Sequence, residues 1–302
     1  MSLRLEMLQV ARLSPTLLGE SAELVRDFLL RQQNEDGGFR DRAGQSDLYY
    51  TVFALDGLLA LQAEPPAEGT AGYLSGFGDG EALDFVHLCC LARAWAALAR
   101  SNVPAASPRT EEWRRRLSAR VGEYRASDGG FHPKRGAAAG NAYGCLLACG
   151  AYLDLGVELR EPLRFAQCLK FLETGDGAWA NERGLPDGST NATAAAVTLL
   201  RHLALPINPD VGAWLLSRCR PEGGFVAMPR TPVPDLLSTA TSLHALSALQ
   251  CDLAPIRDPC LDFLDSLWTN EGGFHGHWND EALDCEYTYY GLLALGHLAV
   301  AG

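Results

Sequence analysis

Four aspartates recur at one place in the sequence pattern. Asp47, Asp84, Asp235 and Asp284 each stand four residues before a threonine or its equivalent: Thr51, Leu88, Thr239 and Thr288. His87 lies just beyond Asp84, and Cys285 and Glu286 follow Asp284 directly. Carboxylates beside an imidazole and a thiol are the side chains of proton transfer and of metal ligation. A carboxylate ahead of an apolar helix is equally an N-cap, accepting the first free backbone N–H groups. Ala139 and Ser189 occupy the equivalent positions elsewhere, so an acid is not obligatory. Arg40, Arg42, Lys134, Arg135, Arg183 and Arg230 lie in connecting segments, either to meet an anion or to be solvated. Phe53, Trp95, Tyr143, Tyr289 and Tyr290 lie in apolar stretches, where they could line a hydrocarbon site or simply fill a core.

The elements that must position these residues come from an internal repeat. An acid-Gly-Gly-aromatic phrase recurs at Asp36-Gly37-Gly38-Phe39, Asp128-Gly129-Gly130-Phe131, Asp176-Gly177-Ala178-Trp179, Glu222-Gly223-Gly224-Phe225 and Glu271-Gly272-Gly273-Phe274, with a weakened copy ending at Gly76-Phe77. Successive aromatics are 38, 54, 48, 46 and 49 residues apart. Each phrase follows an amphipathic helical pattern and precedes a second helix that is apolar nearly all round, as at Leu243, Leu246 and Leu249. The glycine pair is expected to end the first helix in left-handed backbone. An apolar second helix must be buried on more than one side. Six such pairs therefore predict two concentric rings, closed because no polar capping unit is present. Closure sets the last unit against the first and gathers Asp284, Asp47, Asp84, His87, Cys285 and Glu286 in one sector. The N-termini of the inner helices would share one rim, a place for an anion such as a diphosphate, above apolar walls suited to a long hydrocarbon.

Composition narrows the function classes. The 302 residues are 47% hydrophobic and carry a formal net charge of -12. Scattered basic residues in an acidic chain argue against nucleic acid and anionic membrane surfaces. No run reaches the ~18 apolar residues of a membrane span, and the N-terminus does not read as a signal peptide. No linker divides residues 1–302, so one domain is expected. Nine cysteines without CxxC pairing read as buried reduced thiols in a cytoplasmic protein.

The stretch from Gly37-Gly38-Phe39-Arg40-Asp41-Arg42 to Ser46-Asp47-Leu48-Tyr49-Tyr50-Thr51 resembles a repeat of the protein prenyltransferase β subunit. The acid-Gly-Gly-aromatic phrase is similar to the glutamine-tryptophan motif of squalene-hopene and related cyclases, and the likeness covers essentially the whole chain. The resemblance implies an all-α fold, an α/α toroid of six helical hairpins, that binds an isoprenoid. Prenyl transfer is the leading chemistry it implies; cyclisation, or a toroid that binds without catalysis, are the alternatives. Asp84-Phe85-Val86-His87-Leu88 matches the family phrase that supplies a zinc-ligating histidine. Asp47 matches a second zinc ligand, while Tyr49 stands where the family has cysteine; Cys285 of the adjoining repeat is the candidate replacement. Arg42 and Tyr50 match residues that contact the prenyl diphosphate, and Tyr287, Trp95 and Tyr290 join them as candidate substrate contacts. Asp284-Cys285-Glu286-Tyr287-Thr288 resembles the acid phrase of class II cyclases, with Glu286 as proton donor, Asp284 beside it and Tyr287 in place of a partner acid. The resemblance also implies a helical-repeat α subunit as partner; self-association is the other possibility.

Overall fold

The computed structural model describes residues 2–99 and 110–301. Six helices form an inner ring: α4 (Leu48–Ala60), α6 (Phe85–Leu98), α8 (Ala142–Leu155), α10 (Thr190–His202), α12 (Leu236–Ala248) and α14 (Cys285–Ala299). Each packs on the next, and α14 packs on α4, so the ring is closed. Six helices lie outside it: α3 (Ser21–Arg31), α5 (Ala67–Ser75), α7 (Glu111–Gly122), α9 (Pro162–Phe171), α11 (Asp210–Leu216) and α13 (Ala254–Leu267). Two more precede the rings, α1 (Leu3–Ala11) and α2 (Pro15–Leu18). The inner helices are apolar on most faces because each touches two ring neighbours and the outer layer; in α4 even Asp56 is fully buried.

The repeated phrase has a different job from the one expected. Helix α3 stops at Arg31, with Gln32 still in right-handed backbone, and Gly37 (φ +90°) lies beyond it in a tight hairpin closed by an antiparallel bridge from Gln33 to Phe39. The glycine thus serves the turn and an interface, not the helix end. A Cβ on Gly37 would meet the Gly69 carbonyl of α5 at 2.1 Å. One on Gly272 in the last phrase would meet the Leu24 carbonyl of α3 at 2.1 Å, so the same contact closes the outer layer. The aromatic is buried between the layers, and its N–H donates to a side chain of the inner helix: Phe39 to Thr51, Trp179 to Thr193, Phe225 to Thr239 and Phe274 to Thr288. In the third unit Phe131 donates to Cys145 Sγ. This explains the recurring threonine: its hydroxyl ties these four hairpins to the helices that follow.

Candidate functional site

All six inner helices begin at one mouth of the ring, and each is capped by a short polar side chain: Asp47, Asp84, Asn141, Ser189, Asp235 and Asp284. In the third unit the cap is Asn141, two residues beyond Ala139. The N-cap reading of the recurring acids is therefore correct for every one. It also weakens the expected anion site, because these side chains already accept the rim's free N–H groups, and four of the six are acids.

In one sector the caps do more. His87 places Nε2 3.1 Å from Asp47 Oδ2 and Nδ1 2.9 Å from Asp84 Oδ1. The hydrogen bond to Asp47, and then that to Asp84, outweigh desolvation and raise its pKa to about 9, so it is an imidazolium at neutral pH. Beside it, Arg42 donates through Nε to Asp284 at 2.8 Å and through both terminal nitrogens to Asp280, at 3.2 and 2.8 Å, with its guanidinium 5.4 Å from the Tyr287 ring centroid. Its charge is thus shared between two carboxylates. Tyr50, also on this rim, does not line the cavity below.

Glu286 belongs to the same rim and is not itself among the residues that line the cavity. It lies in the first turn of α14, one turn before Tyr290, whose side chain lines the cavity, so the two share a helix face. The Tyr49 hydroxyl donates to Glu286 Oε1 at 2.5 Å. Burial raises the Glu286 pKa to about 7, although the Tyr49 hydrogen bond pulls the other way. A carboxyl that is half protonated near neutrality can donate a proton; Glu286 does not itself line the cavity and is joined to its wall through Tyr49.

The central cavity opens to solvent, with about 150 Å³ of room inside it. Tyr49, Phe53, Tyr143 and Tyr290 form an aromatic collar, with Phe53 5.0 Å from Tyr49 and 5.4 Å from Tyr290 between ring centroids. Leu146, Leu147, Ala151, Ala194 and Ala195 continue the apolar wall. Trp95, expected in this wall, is buried between the rings against Trp113 of α7. Tyr289 is likewise buried outside the cavity lining.

A model of the prenyltransferase alpha-alpha toroid domain matches residues 14–89 and 192–300. The chain belongs to this family. Solved toroids of low sequence identity share its fold. The type II terpene cyclase MstE from Scytonema has 16% identity and TM-score 0.61, covering 97% of this chain and 98% of its own. The GH76A α-1,6-mannanase from Salegentibacter sp. HEL1_6 has 14% identity and TM-score 0.62, covering 94% and 99%. The protein geranylgeranyltransferase-I of Candida albicans, complexed with GGPP, has 17% identity and TM-score 0.50, covering 96% and 83%. No curated protein matches the chain. A fold shared by a cyclase, a transferase and a glycosidase leaves function to the site.

The prenyltransferase toroid residues present here do not fit zinc. A catalytic zinc needs three protein ligands. Asp47 and His87 are adjacent, but both ring nitrogens of His87 are taken, Nε2 by Asp47 and Nδ1 by Asp84. Tyr49 gives its hydroxyl to Glu286. Cys285 is fully buried, and burial raises its thiol pKa. Among the described residues, no group of three or more His, Cys, Asp or Glu side chains is placed to hold a metal. His275 and His277, flanking Gly276, are taken up locally: His275 Nδ1 lies 3.2 Å from the Ala282 carbonyl, and His277 accepts from the Asn279 N–H.

Sequence reasoning missed the other end of the cavity. There Arg93 bonds Asp56 at 2.6 Å and stacks 5.0 Å from the Phe53 ring, while Arg4 reaches the same Asp56 at 3.1 Å and Asp154 at 3.5 Å. Burial raises the Asp154 pKa despite Arg4. The signal was available: Asp56 and Arg93 are lone charges inside the most apolar segments of the chain. In such segments a charge must find a partner.

Proposed function

We propose that this toroid binds an isoprenoid chain in its central cavity and starts its cyclisation by protonating a carbon–carbon double bond from Glu286. The observation that carries this reading is the Tyr49 hydroxyl, on a side chain that lines the aromatic cavity, donating to Glu286, a carboxyl whose pKa burial raises to about 7. The type II terpene cyclase with this fold has been captured with geranylgeranyl dihydroxybenzoate as substrate, which is consistent with an isoprenoid in the present cavity. The reading needs neither zinc nor a bound diphosphate.

In the proposed step the Glu286 O–H bond breaks and its proton joins one alkene carbon, the π pair forming the new C–H bond. The neighbouring carbon becomes cationic and is attacked by the next double bond of the same chain. The faces of Phe53, Tyr49 and Tyr290 stabilise positive charge passing them. The carboxylate left on Glu286 keeps the Tyr49 hydrogen bond, which is stronger to an anion than to the neutral acid. Loss of a proton from the final cation balances the reaction, and Glu286 regains its own proton from solvent at the rim.

The test incubates the protein with geranylgeraniol or squalene, without thiol acceptor or zinc, and identifies cyclised products by mass spectrometry. Glu286→Gln is expected to lower turnover by roughly 10²–10⁴-fold while leaving the melting temperature in place. Unchanged turnover in that variant, or turnover that requires zinc and a thiol acceptor, overturns the reading.

A further inference from the structure

Helix α1 stands outside the six-unit pattern and lies across the second mouth of the ring, where the inner helices end. Its Val10 carbonyl packs on Gly296 in the last turns of α14, where a Cβ would sit 2.1 Å from that oxygen. Arg4 bonds Asp56 of α4, pairs with Asp154 near the end of α8 and donates to the Ala96 carbonyl of α6 at 3.3 Å. Arg12 donates to the Leu59 carbonyl of α4 at 3.4 Å, and Glu6 pairs with Arg201 of α10. One short helix is thus fastened to all but one of the six inner helices. The chemistry of the attachment is ordered. This mouth collects free carbonyls and the negative ends of the helix dipoles, and α1 brings arginines to it.

The face that α1 turns inward carries Leu3, Arg4 and Met7, all of which line the cavity. Leu3 and Met7 are four residues apart and so lie one above the other on the helix. Arg4 is committed to its carboxylates, which leaves Leu3 and Met7 as the apolar floor. The walls contribute Leu147, Ala151 and Ala195 around them. Without α1 the ring would be a tube open at both ends.

We propose that α1 is the floor of the substrate cavity and that Met7, with Leu3 beside it, sets the length of isoprenoid chain the toroid accepts. The proposal deepens the isoprenoid reading and rests on it. From Glu286 to Gly296 of α14, where α1 crosses, is ten residues, or ~15 Å of helix rise. A chain reaching past that depth meets the Met7 thioether. Methionine is flexible enough to close the floor without a fixed shape, so its size is the quantity to vary.

The experiment measures binding of farnesol, geranylgeraniol and geranylfarnesol to the full chain by competitive displacement of a fluorescent lipid. It compares wild type with Met7→Ala, Met7→Trp and Leu3→Ala. Met7→Ala and Leu3→Ala are expected to shift relative affinity toward the next longer alcohol by about tenfold, and Met7→Trp toward the shorter one by a similar factor. Circular dichroism melts accompany each variant; should Met7→Trp not fold, the two alanine variants decide. A wild type that binds one length best, with the same preference kept in the folded variants, overturns the floor proposal and leaves the isoprenoid reading standing. A wild type that binds none of the three alcohols overturns both.

Discussion

The two mouths of the ring are built from the two ends of the same six helices, yet they are opposite in kind. At the N-terminal mouth, positive dipole ends are met by acids, and in one sector those acids bind further cations, His87 and Arg42. At the C-terminal mouth, the Ala96 and Leu59 carbonyls are met by Arg4 of α1 and by Arg12 just beyond it, and Leu3, Arg4 and Met7 line the cavity from that side. Helix polarity dictates the sign of the side chains at each end. It does not dictate which end receives an added helix. In the proposed cyclisation Glu286 would be reloaded by solvent at the first mouth, while burial raises its pKa.

The largest effect should come from unfastening the α1 end. Arg4→Met leaves the buried Asp154 without its arginine and Asp56 with only Arg93, and is expected to cost roughly 3–5 kcal/mol in urea unfolding. A loss below about 1 kcal/mol would mean that α1 is only loosely seated.

At the other mouth, Tyr49→Phe removes the hydrogen bond that favours ionised Glu286. The carboxyl pKa should rise above about 7, and the alkaline limb of the pH–activity profile should move upward with it. The sign follows from the acid form being the active one: activity is present below the folded pKa and falls as pH rises through it. An unmoved or downward-moving limb would separate Glu286 from the proton transfer.

The smallest effect belongs to His87. Its folded pKa of about 9 lies above the unfolded value near 6.5, so its stabilising contribution is full below pH 6.5 and is lost as pH rises through about 9. His87→Gln should flatten the fall in urea midpoint across that window, by a small amount because the group is partly exposed to solvent. Wild-type stability that is constant between pH 6 and 9.5 would contradict the Asp47–His87–Asp84 arrangement.

Much of the architecture could be read from spacing alone. The Gly-Gly-aromatic phrases and the all-round apolar helices require paired layers, and the recurring aspartates mark the helix starts that the structure caps. The glycines themselves were misread, because a sequence pattern does not distinguish a helix end from a turn five residues further on that packs against another unit's backbone. Trp95 was misplaced for a related reason: an inner helix is apolar on both faces, so periodicity cannot say whether a tryptophan faces the cavity or the outer ring. The zinc set was carried by resemblance at Asp47 and His87, with Cys285 as the candidate replacement for the cysteine that Tyr49 displaces; that the Tyr49 hydroxyl meets Glu286 emerged only across the ring closure.

The sequence by itself determined the repeating unit, the number of helices facing inward and five of the six residues that cap them, because hydrophobic period, glycine and caps act over a few neighbouring positions. Only the tertiary structure decided that Tyr49 and Glu286 meet and that Arg4 finds Asp56 and Asp154. It alone also showed that the first helix lines the cavity. Those contacts join residues 237, 52 and 150 positions apart, and burial, which raises one carboxyl toward neutrality and makes another need an arginine, exists only once the ring is closed.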